Sequence, residues 1–171
     1  MQNLWSPWRS QYIKGVEDTS NGCFFCNGIQ KNGEFDSDSL IVYRNERCFV
    51  ILNRFPYNSG HIMVVPKIHS GDLLSIEQET MNEIMATIQL SVKALTKVYN
   101  PHAFNIGANI GKVAGAGVPD HIHFHIVPRW NGDVNFMPVL ADIKVASESL
   151  EDTWHQLHAA FLELTGISNA K

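Results

Sequence analysis

The stretch Asp120-His121-Ile122-His123-Phe124-His125-Ile126-Val127-Pro128 alternates imidazole and apolar side chains along its length. Because alternate side chains of a β-strand point to opposite faces, the pattern predicts a strand at 122–127. Its apolar residues enter the core and its three histidines share the other face, with successive imidazoles about 6.5 Å apart. That spacing lets several imidazoles contact one ligand of roughly the size of a phosphate.

Two simpler interpretations of the three histidines stay open at this point. They decorate a solvent-facing strand, since His is often only partly buried, or they supply ligands to a three-histidine zinc site. Strict alternation argues against the first, because His is not a favoured strand residue. Neighbours on one strand rarely converge on one small ion without ligands from other segments, which argues against the second.

A glycine-rich segment, Asn109-Ile110-Gly111-Lys112-Val113-Ala114-Gly115-Ala116-Gly117, lies just upstream of the histidines. Such turns usually only connect strands, but one in this position can also aim backbone N–H groups at an anion. Fixed donors of that kind stabilise the oxygens that gain charge in phosphoryl chemistry. The two neighbouring segments together favour an enzyme that acts on a phosphate group.

Short β-branched or aromatic runs bounded by turn residues predict four further strands. They are expected at 40–43, 48–52, 61–65 and 104–110. The polar segment 28–39 is predicted to be a loop. Strands that arrive in groups, broken by two helices, indicate an antiparallel α+β domain.

Two helices are predicted. The longer one begins at a capping box formed by Ser75 and Gln78 and stops at Asn100-Pro101. The final helix ends at Gly166. The apolar stripe of the long helix, which we assign to the core, consists of Met81, Ile84, Met85, Ile88, Val92, Leu95 and Tyr99.

Composition limits the kind of protein. The chain has 171 residues, of which 44% are hydrophobic and 18% charged, as expected for one globular domain. Its net charge is −4 and its 13 Lys and Arg are scattered, so neither nucleic acid nor an anionic membrane is indicated as a partner. No membrane helix or secretory signal is apparent. Three cysteines, an odd number, favour a reducing cytoplasm over a disulfide framework.

The chain resembles the histidine triad family of nucleotide hydrolases and transferases. The family pattern His-φ-His-φ-His-φ-φ, with φ apolar, is met from His121 to Val127. The flanks at 4–9 and 128–137 are similar to a bacterial branch that includes diadenosine tetraphosphate phosphorylases and hydrolases. The other matching positions are Asn109, Gly111, the segment Leu52-Asn53-Arg54-Phe55-Pro56, Gly60-His61 and Val65-Pro66.

The resemblance implies one histidine triad domain over 1–171, with an antiparallel sheet of about five strands, one long helix and one C-terminal helix. An aromatic N-terminal arm would occupy 1–22, the core 23–130 and a C-terminal extension with the helix 131–171. Members of the family are commonly two-fold dimers with a sheet continued across the interface. A homodimer is therefore expected, with the long helix in part of the contact.

The resemblance also implies roles for individual residues. His123 is the nucleophile that forms a covalent nucleotidyl intermediate, His125 orients the phosphate, and His121 lies near the leaving group. His61 supports the site from the neighbouring strand. The implied substrate-binding residues are Asn53 for the ribose, Ile51 for the base, and Asn109, Gly111, Ala116 and Gly117 for phosphate oxygens.

The implied reaction is cleavage of a dinucleoside polyphosphate or another purine nucleotide, with no organic cofactor. The chain departs from the family at Ala116 and Gly117, where many members carry Gln-Ser or Gln-Thr, so that only backbone amides remain as donors. A nucleoside phosphoramidate hydrolase is one alternative. A nucleotide-binding module without turnover is the other.

Cys23-Phe24-Phe25-Cys26 is a CxxC pair, which supplies half of a tetrahedral zinc site. A redox pair is the competing interpretation, but no thioredoxin-like βαβ context surrounds it. Some members of the family resembled bind structural zinc through such a pair and two histidines, and the matching positions here are His69 and His121. Zinc would make His121 structural rather than acidic, whereas an apo form would leave free thiols.

Overall fold

The structure is a computed structural model that describes residues 22–31, 33, 36–133 and 148–166. Its strands are β1 (Ile41–Arg44), β2 (Cys48–Leu52), β3 (Ile62–Pro66), β4 (Ala103–Ala108) and β5 (Phe124–Arg129). They form one antiparallel sheet in the order β1-β2-β3-β5-β4. The predicted α+β class with about five antiparallel strands is confirmed.

The helices are α1 (Phe24–Gln30), α2 (Asp36–Ser39), α3 (Gln78–Tyr99) and α4 (Leu150–Thr165). Helix α3 packs against β2, β3 and β5, and α4 packs against α3 and β1. Every residue of β2 and β3 is buried, so these two strands form the centre of the core. In the described ranges, no helix combines the length and the apolar character that crossing a membrane requires.

The start of the long helix differs from the prediction. Ser75 does not cap it: the hydroxyl of Ser75 donates to the carbonyl of Asp72 at 2.8 Å, within a short 3-10 turn at Leu73–Ser75. Glu77 is the N-cap, without a side-chain cap. The predicted stripe is buried at Ile84, Ile88 and Leu95, but Met85 is 53% exposed. The Ser75–Gln78 spacing therefore does not mark a capping box, because the Ser75 hydroxyl is bonded to the Asp72 carbonyl instead.

The C-terminal helix follows the prediction. Ser149 is its N-cap, and its side chain accepts from the backbone N–H of Asp152 at 3.0 Å. Gly166 ends it in the left-handed conformation, with φ of 68°. Both ends are therefore set by local residues, as the cap and the glycine indicate.

The predicted loop at 28–39 is partly wrong, because α1 continues to Gln30 and α2 occupies Asp36–Ser39. Arg44, on β1, explains the difference. Its guanidinium donates to the Asp36 carboxylate at 2.8 and 2.9 Å and to the carbonyl of Ile29 at 3.0 Å. These bonds reach across 8 and 15 residues, so short-range sequence patterns do not reveal them. Of the predicted arm at 1–22, residues 1–21 lie outside the described part.

The strand that carries the histidines starts and ends two residues later than predicted. Its pairing with β3 stops at Phe124, opposite Val64. Beyond that pair, the N–H of Ile122 donates to the carbonyl of Ser70 at 2.7 Å, so the chain follows the loop after β3 instead of continuing the ladder. His121 and His123 consequently precede the strand.

Gly71 holds that loop against the triad segment. A Cβ at this position would lie 2.2 Å from the backbone carbonyl oxygen of Pro119, a distance that no side chain tolerates. The close approach brings the loop that contains His69 beside His121. Glycine is therefore required here by the contact between two backbones.

Candidate functional site

Two histidines of the triad, His121 and His123, lie under helix α1. The ring of Phe25, in the first turn of α1, contacts the ring of His121 at 5.3 Å and that of His123 at 5.1 Å between centroids. His121 is fully buried and His123 is 3% exposed, while His125 is half-buried. The histidine face is therefore a polar layer beneath α1 and not an open surface of the sheet.

On one side of this layer, four side chains form what we call the cysteine–histidine cluster: Cys23, Cys26, His69 and His121. One potential ligand atom from each lies within 4.8 Å of all the others. The cysteines come from the start of α1, His69 from the loop after β3, and His121 from the segment before β5. The predicted set of zinc ligands is thus brought together by three separate parts of the chain.

The spacing of these atoms fits a shared tetrahedral ion. The Nδ1 atom of His121 lies 3.3 Å from the sulfur of Cys23, 3.6 Å from that of Cys26 and 3.4 Å from Nδ1 of His69. Bond lengths of about 2.3 Å to sulfur and 2.0 Å to nitrogen place tetrahedral ligands about 3.5 Å apart for S–N and about 3.3 Å for N–N. The donor set and its spacing therefore fit zinc.

The chemistry of the cluster also favours a cation. His121 donates from Nε2 to the carbonyl of Pro66 at 2.8 Å, which leaves the lone pair of Nδ1 facing the two sulfurs. A hydrogen bond of this kind on the distal nitrogen is what orients a metal-bound imidazole.

This geometry bears on the expected role of His121 at the leaving group. One ring nitrogen is bonded to Pro66 and the other faces the cysteines. Neither nitrogen is directed at His123, and burial lowers the pKa of His121. The arrangement favours the structural alternative for His121 over an acidic role.

His123 is held in one tautomer. Its Nδ1 lies 2.8 Å from the backbone carbonyl of His121. Because a carbonyl only accepts, Nδ1 carries the proton and the lone pair is on Nε2. Burial lowers the pKa of His123, against the opposing effect of that hydrogen bond. A neutral imidazole with a lone pair at Nε2 is the form that nucleophilic attack requires.

On the other side of His123, His61 and His125 form what we call the histidine pair. The N–H of Tyr57 donates to Nδ1 of His61 at 3.0 Å, so His61 carries its proton on Nε2. That Nε2 lies 2.9 Å from Nδ1 of His125 and donates to it. Because Nδ1 of His125 accepts this bond, the neutral His125 ring carries its proton on Nε2, which is then a donor. The chain of hydrogen bonds that sets this tautomer starts at the Tyr57 backbone N–H.

Two predicted nucleoside contacts occupy interior positions. Asn53, 6% exposed, accepts from the N–H of Phe55 at 2.9 Å and lies 3.4 Å from Nδ1 of His61 through its amide nitrogen. Ile51 is fully buried in β2, between Ile41 and Met63 in the register of the sheet. The structure thus brings Asn53 to the histidine pair and leaves Ile51 in the core.

The glycine turn is closed by its own bonds. Nδ2 of Asn109 donates to the carbonyl of Gly115 at 3.3 Å. The N–H of Ala116 lies 3.3 Å from the carbonyl of Gly111, which adopts φ of 82°. The expected phosphate donor at Ala116 is therefore already used within the turn, whereas Gly117 is half-buried at the next position.

A cavity of about 150 Å³ opens beside α1. Ser39 lines it, and its buried hydroxyl has no hydrogen-bond partner within the described part of the chain. No triad histidine lines this cavity. The lining residues are Phe24, Asn27, Gly28, Lys31, Asp38, Ser39 and Arg54.

Sequence reasoning missed two aromatic residues at the site. The sequence patterns assigned no role to Phe25, which stands between the two cysteines, or to Tyr57. The ring of Tyr57 lies 4.6 Å from that of His61 and 6.0 Å from that of His125. The only available signal was an aromatic side chain next to a predicted ligand or turn, which does not specify a contact.

Comparisons with known proteins agree with this geometry. The family model of the HIT domain matches residues 34–132. An AP-4-A phosphorylase of Mycobacterium tuberculosis is 34% identical over 157 residues, covering 90% of this chain and 80% of that protein.

Solved structures give the same relationship. A zinc-bound histidine triad family protein of Mycobacterium smegmatis is 29% identical, with a TM-score of 0.65 over 87% of this chain and 99% of that one. A hypothetical histidine triad nucleotide-binding protein of Sulfolobus tokodaii is 26% identical, with a TM-score of 0.66 over the same shares. With the buried triad, the five-stranded sheet and these matches, the chain belongs to the histidine triad (HIT) family.

Proposed function

We propose that this protein is a nucleotide hydrolase or nucleotidyltransferase that cleaves a dinucleoside polyphosphate through a covalent nucleotidyl-His123 intermediate. The observation that carries the proposal is the tautomer of His123. Its Nδ1–H is bonded to the His121 carbonyl, so the lone pair of Nε2 is the group that can attack phosphorus.

In the first step, Nε2 of His123 attacks the α-phosphorus and a P–N bond forms. The P–O bond to the polyphosphate breaks, and the leaving chain takes the electron pair. The imidazole of the intermediate carries positive charge, because Nδ1 keeps its proton. The His121 carbonyl, 2.8 Å from Nδ1, stabilises that charge.

In the second step, an oxygen of water or inorganic phosphate attacks the same phosphorus and the P–N bond breaks. Dividing one displacement into two in this way is the benefit of covalent catalysis. His125 would hold a phosphate oxygen through its Nε2–H, which His61 sets by donating to the other nitrogen at 2.9 Å. Positioning and fixed donors of this kind are what phosphoryl centres respond to.

The substrate class rests on relatives together with the site. The Mycobacterium tuberculosis relative is named as an AP-4-A phosphorylase, which supports a dinucleoside tetraphosphate and a phosphate acceptor. For the base, the cavity beside α1 supports a position against the exposed ring of Phe24, because Arg54 lines the same cavity. An aromatic ring and a guanidinium are both suited to stacking on a purine.

We also propose that the cysteine–histidine cluster binds one zinc ion per chain. Bound there, zinc would cross-link α1, the loop after β3 and the segment before β5, which is a structural contribution to folding. The zinc-bound state of the Mycobacterium smegmatis relative supports this assignment. Metal analysis of the purified protein is expected to give close to one zinc per chain, and its absence would remove the assignment.

A homodimer is proposed as well. Strand β4 lies at the edge of the sheet, and four of its six residues are exposed, including Ile106 at 50%. An edge strand with an exposed apolar side chain is suited to continue the sheet into a second copy. Analytical ultracentrifugation tests this, and a chain that sediments as a monomer contradicts it.

The decisive experiment for the reaction is incubation with diadenosine tetraphosphate, with and without radiolabelled inorganic phosphate. Phosphorolysis gives ATP and labelled ADP, whereas hydrolysis gives ATP and AMP. Protein quenched under alkaline denaturing conditions, in which a P–N bond to histidine is stable, is expected to carry an adenylyl group on His123 by mass spectrometry.

Adenosine phosphoramidate serves as the comparison substrate, and preferential cleavage of it would shift the assignment to that class. Tight nucleotide binding without any product would favour the non-catalytic alternative. Activity that survives the substitution His123→Asn would overturn the assigned nucleophile.

A further inference from the structure

Phe25 lies at the point where the cysteine–histidine cluster meets the nucleophile. It stands between the two cysteines in the sequence and is 2% exposed, whereas the adjacent Phe24 is 42% exposed. Its ring packs edge-on against His121, at 69° between the planes, and tilted against His123, at 47°. One side chain therefore touches a candidate metal ligand and the candidate nucleophile at the same time.

The ring of His123 needs this contact because its hydrogen bond fixes only one atom. The bond from Nδ1 to the His121 carbonyl holds that nitrogen at 2.8 Å, and side chains packed against the ring add the remaining restraint. Phe25 packs against the ring, and His125 makes a second contact, at 5.0 Å and 73°. These two contacts restrict the orientation in which Nε2 is presented.

The same elements fix Phe25 from the other direction. Cys23 and Cys26 lie 3.3 and 3.6 Å from Nδ1 of His121, so any ion that they share holds the first turn of α1 against the triad segment. The position of the Phe25 ring then depends on the cluster, because it lies within that turn.

We propose that Phe25 is a positioning residue that transmits the geometry of the cysteine–histidine cluster to the imidazole of His123. The inference rests on the proposed nucleophile and on a metal in the cluster. It goes beyond both, because it assigns the CxxC segment a part in the reaction through a side chain that binds neither metal nor phosphate.

The test is the substitution Phe25→Leu, which keeps an apolar side chain but removes the aromatic face. The matched control is Phe161→Leu. Phe161 is also fully buried but packs on Tyr43, away from every triad histidine. Both variants lose core packing, so any difference between them reports the contact with the imidazoles.

Three measurements are compared between the variants: zinc per chain, kcat and KM on diadenosine tetraphosphate, and the ¹⁵N chemical shifts of the histidine rings. Phe25→Leu is expected to keep its zinc and its KM while kcat falls about 10- to 100-fold, the usual cost of a misplaced reacting group. The ¹⁵N shifts of His123 should lose the pattern of a single Nδ1–H tautomer. Phe161→Leu should change none of the three.

Equal kcat and unchanged His123 shifts in the two variants would overturn the coupling while leaving the proposed function intact. The ring shifts and the zinc content need no substrate. If the wild-type protein fails to cleave diadenosine tetraphosphate, the proposed reaction fails, but altered His123 shifts in Phe25→Leu alone would still support the positioning role. Loss of zinc from Phe25→Leu would also overturn it, since Phe25 would then act on the metal site.

Discussion

The cysteine–histidine cluster and the histidine pair lie on two sides of His123, and their imidazole nitrogens have different kinds of partner. In the cluster, the sulfur atoms of the two cysteines and the Nδ1 atoms of His69 and His121 face one another at 3.3 to 3.6 Å. In the pair, each acceptor receives a donor, from the Tyr57 N–H to His61 and from His61 to His125. The first arrangement fits a shared cation, whereas the second is a chain of hydrogen bonds between protein groups.

The difference shows how one residue type is assigned two kinds of chemistry. His121 and His123 are separated by a single residue, yet the partner of the distal nitrogen sets their roles. His121 donates from Nε2 to Pro66 and presents Nδ1, whereas His123 donates from Nδ1 to His121 and presents Nε2. The backbone carbonyls on which these bonds end therefore decide which nitrogen of each ring keeps its lone pair.

The largest effect on activity is expected from His123→Asn. This substitution removes Nε2, the proposed attacking atom, from the ring that lies between the cysteine–histidine cluster and the histidine pair. We expect turnover of diadenosine tetraphosphate to fall at least about a thousandfold, as for the loss of a covalent nucleophile. The Asn amide can still donate to the His121 carbonyl, so zinc content and the free energy of unfolding should stay close to wild type. Loss of zinc from His123→Asn would show that the nucleophile and the cysteine–histidine cluster cannot be altered independently.

The cluster is broken by Cys26→Ser. We expect loss of the bound metal and a decrease of several kcal/mol, roughly 3 or more, in the free energy of unfolding, since metal binding and folding are coupled. Cys48→Ala is the control, because Cys48 is buried with its thiol on Thr87, outside the cluster. That variant should keep its zinc, measured by metal analysis beside denaturant unfolding. Equal metal content in both variants would contradict the assignment of Cys26.

The histidine pair is broken by His61→Leu and partly kept by His61→Gln, whose amide can donate to His125. We expect kcat to fall about 10- to 100-fold in the Leu variant, as for other residues that orient an active imidazole. The Gln variant should retain more activity, and zinc should be unchanged in both. Steady-state kinetics and histidine ¹⁵N shifts provide the measurement. Identical kinetics for His61→Leu and His61→Gln would argue against the idea that His61 sets the tautomer of His125.

The smallest effect is expected at an ion pair outside both groups. Hydrogen bonds and the charge of Arg129 hold the pKa of Asp133 below its ordinary value of 3.8. A depressed pKa stabilises the folded state above the unfolded pKa, and that contribution is lost as the pH falls through the folded pKa. The wild-type advantage over Asp133→Asn in urea unfolding should therefore be small at pH 7 and shrink below about pH 4. An advantage that grows at low pH would contradict the sign.

Local patterns in the sequence predicted much of the fold. Alternation in 121–127, β-branched runs at 48–52 and the glycine after the last helix each identify an element through neighbours within a few residues. The errors lie where distant residues intervene. Asp72 takes the hydroxyl of Ser75, and Arg44 stabilises helical turns at 24–30 and 36–39 that local propensity alone does not favour.

The site divides in the same way. The spacing of Cys23 and Cys26 and the identity of the triad histidines are properties of the sequence, and the resemblance to the family supplied His69 and His61. The tautomers depend on the backbone carbonyls of Pro66 and His121 and on the backbone N–H of Tyr57. Every residue type has such a carbonyl, and every type except proline has such an N–H. Backbone groups carry no sequence signature, so no pattern could reveal them.

The sequence by itself determined which side chains are available: three alternating imidazoles, a CxxC pair and a glycine-rich turn. The tertiary structure alone decided that α1 covers the triad, that Phe25 touches both His121 and His123, and which nitrogen of each ring is free to act. The physical reason is that side-chain identity is a local property. Burial and hydrogen-bond partners, in contrast, arise only when segments as far apart as 23–26, 66–69 and 121–125 pack together.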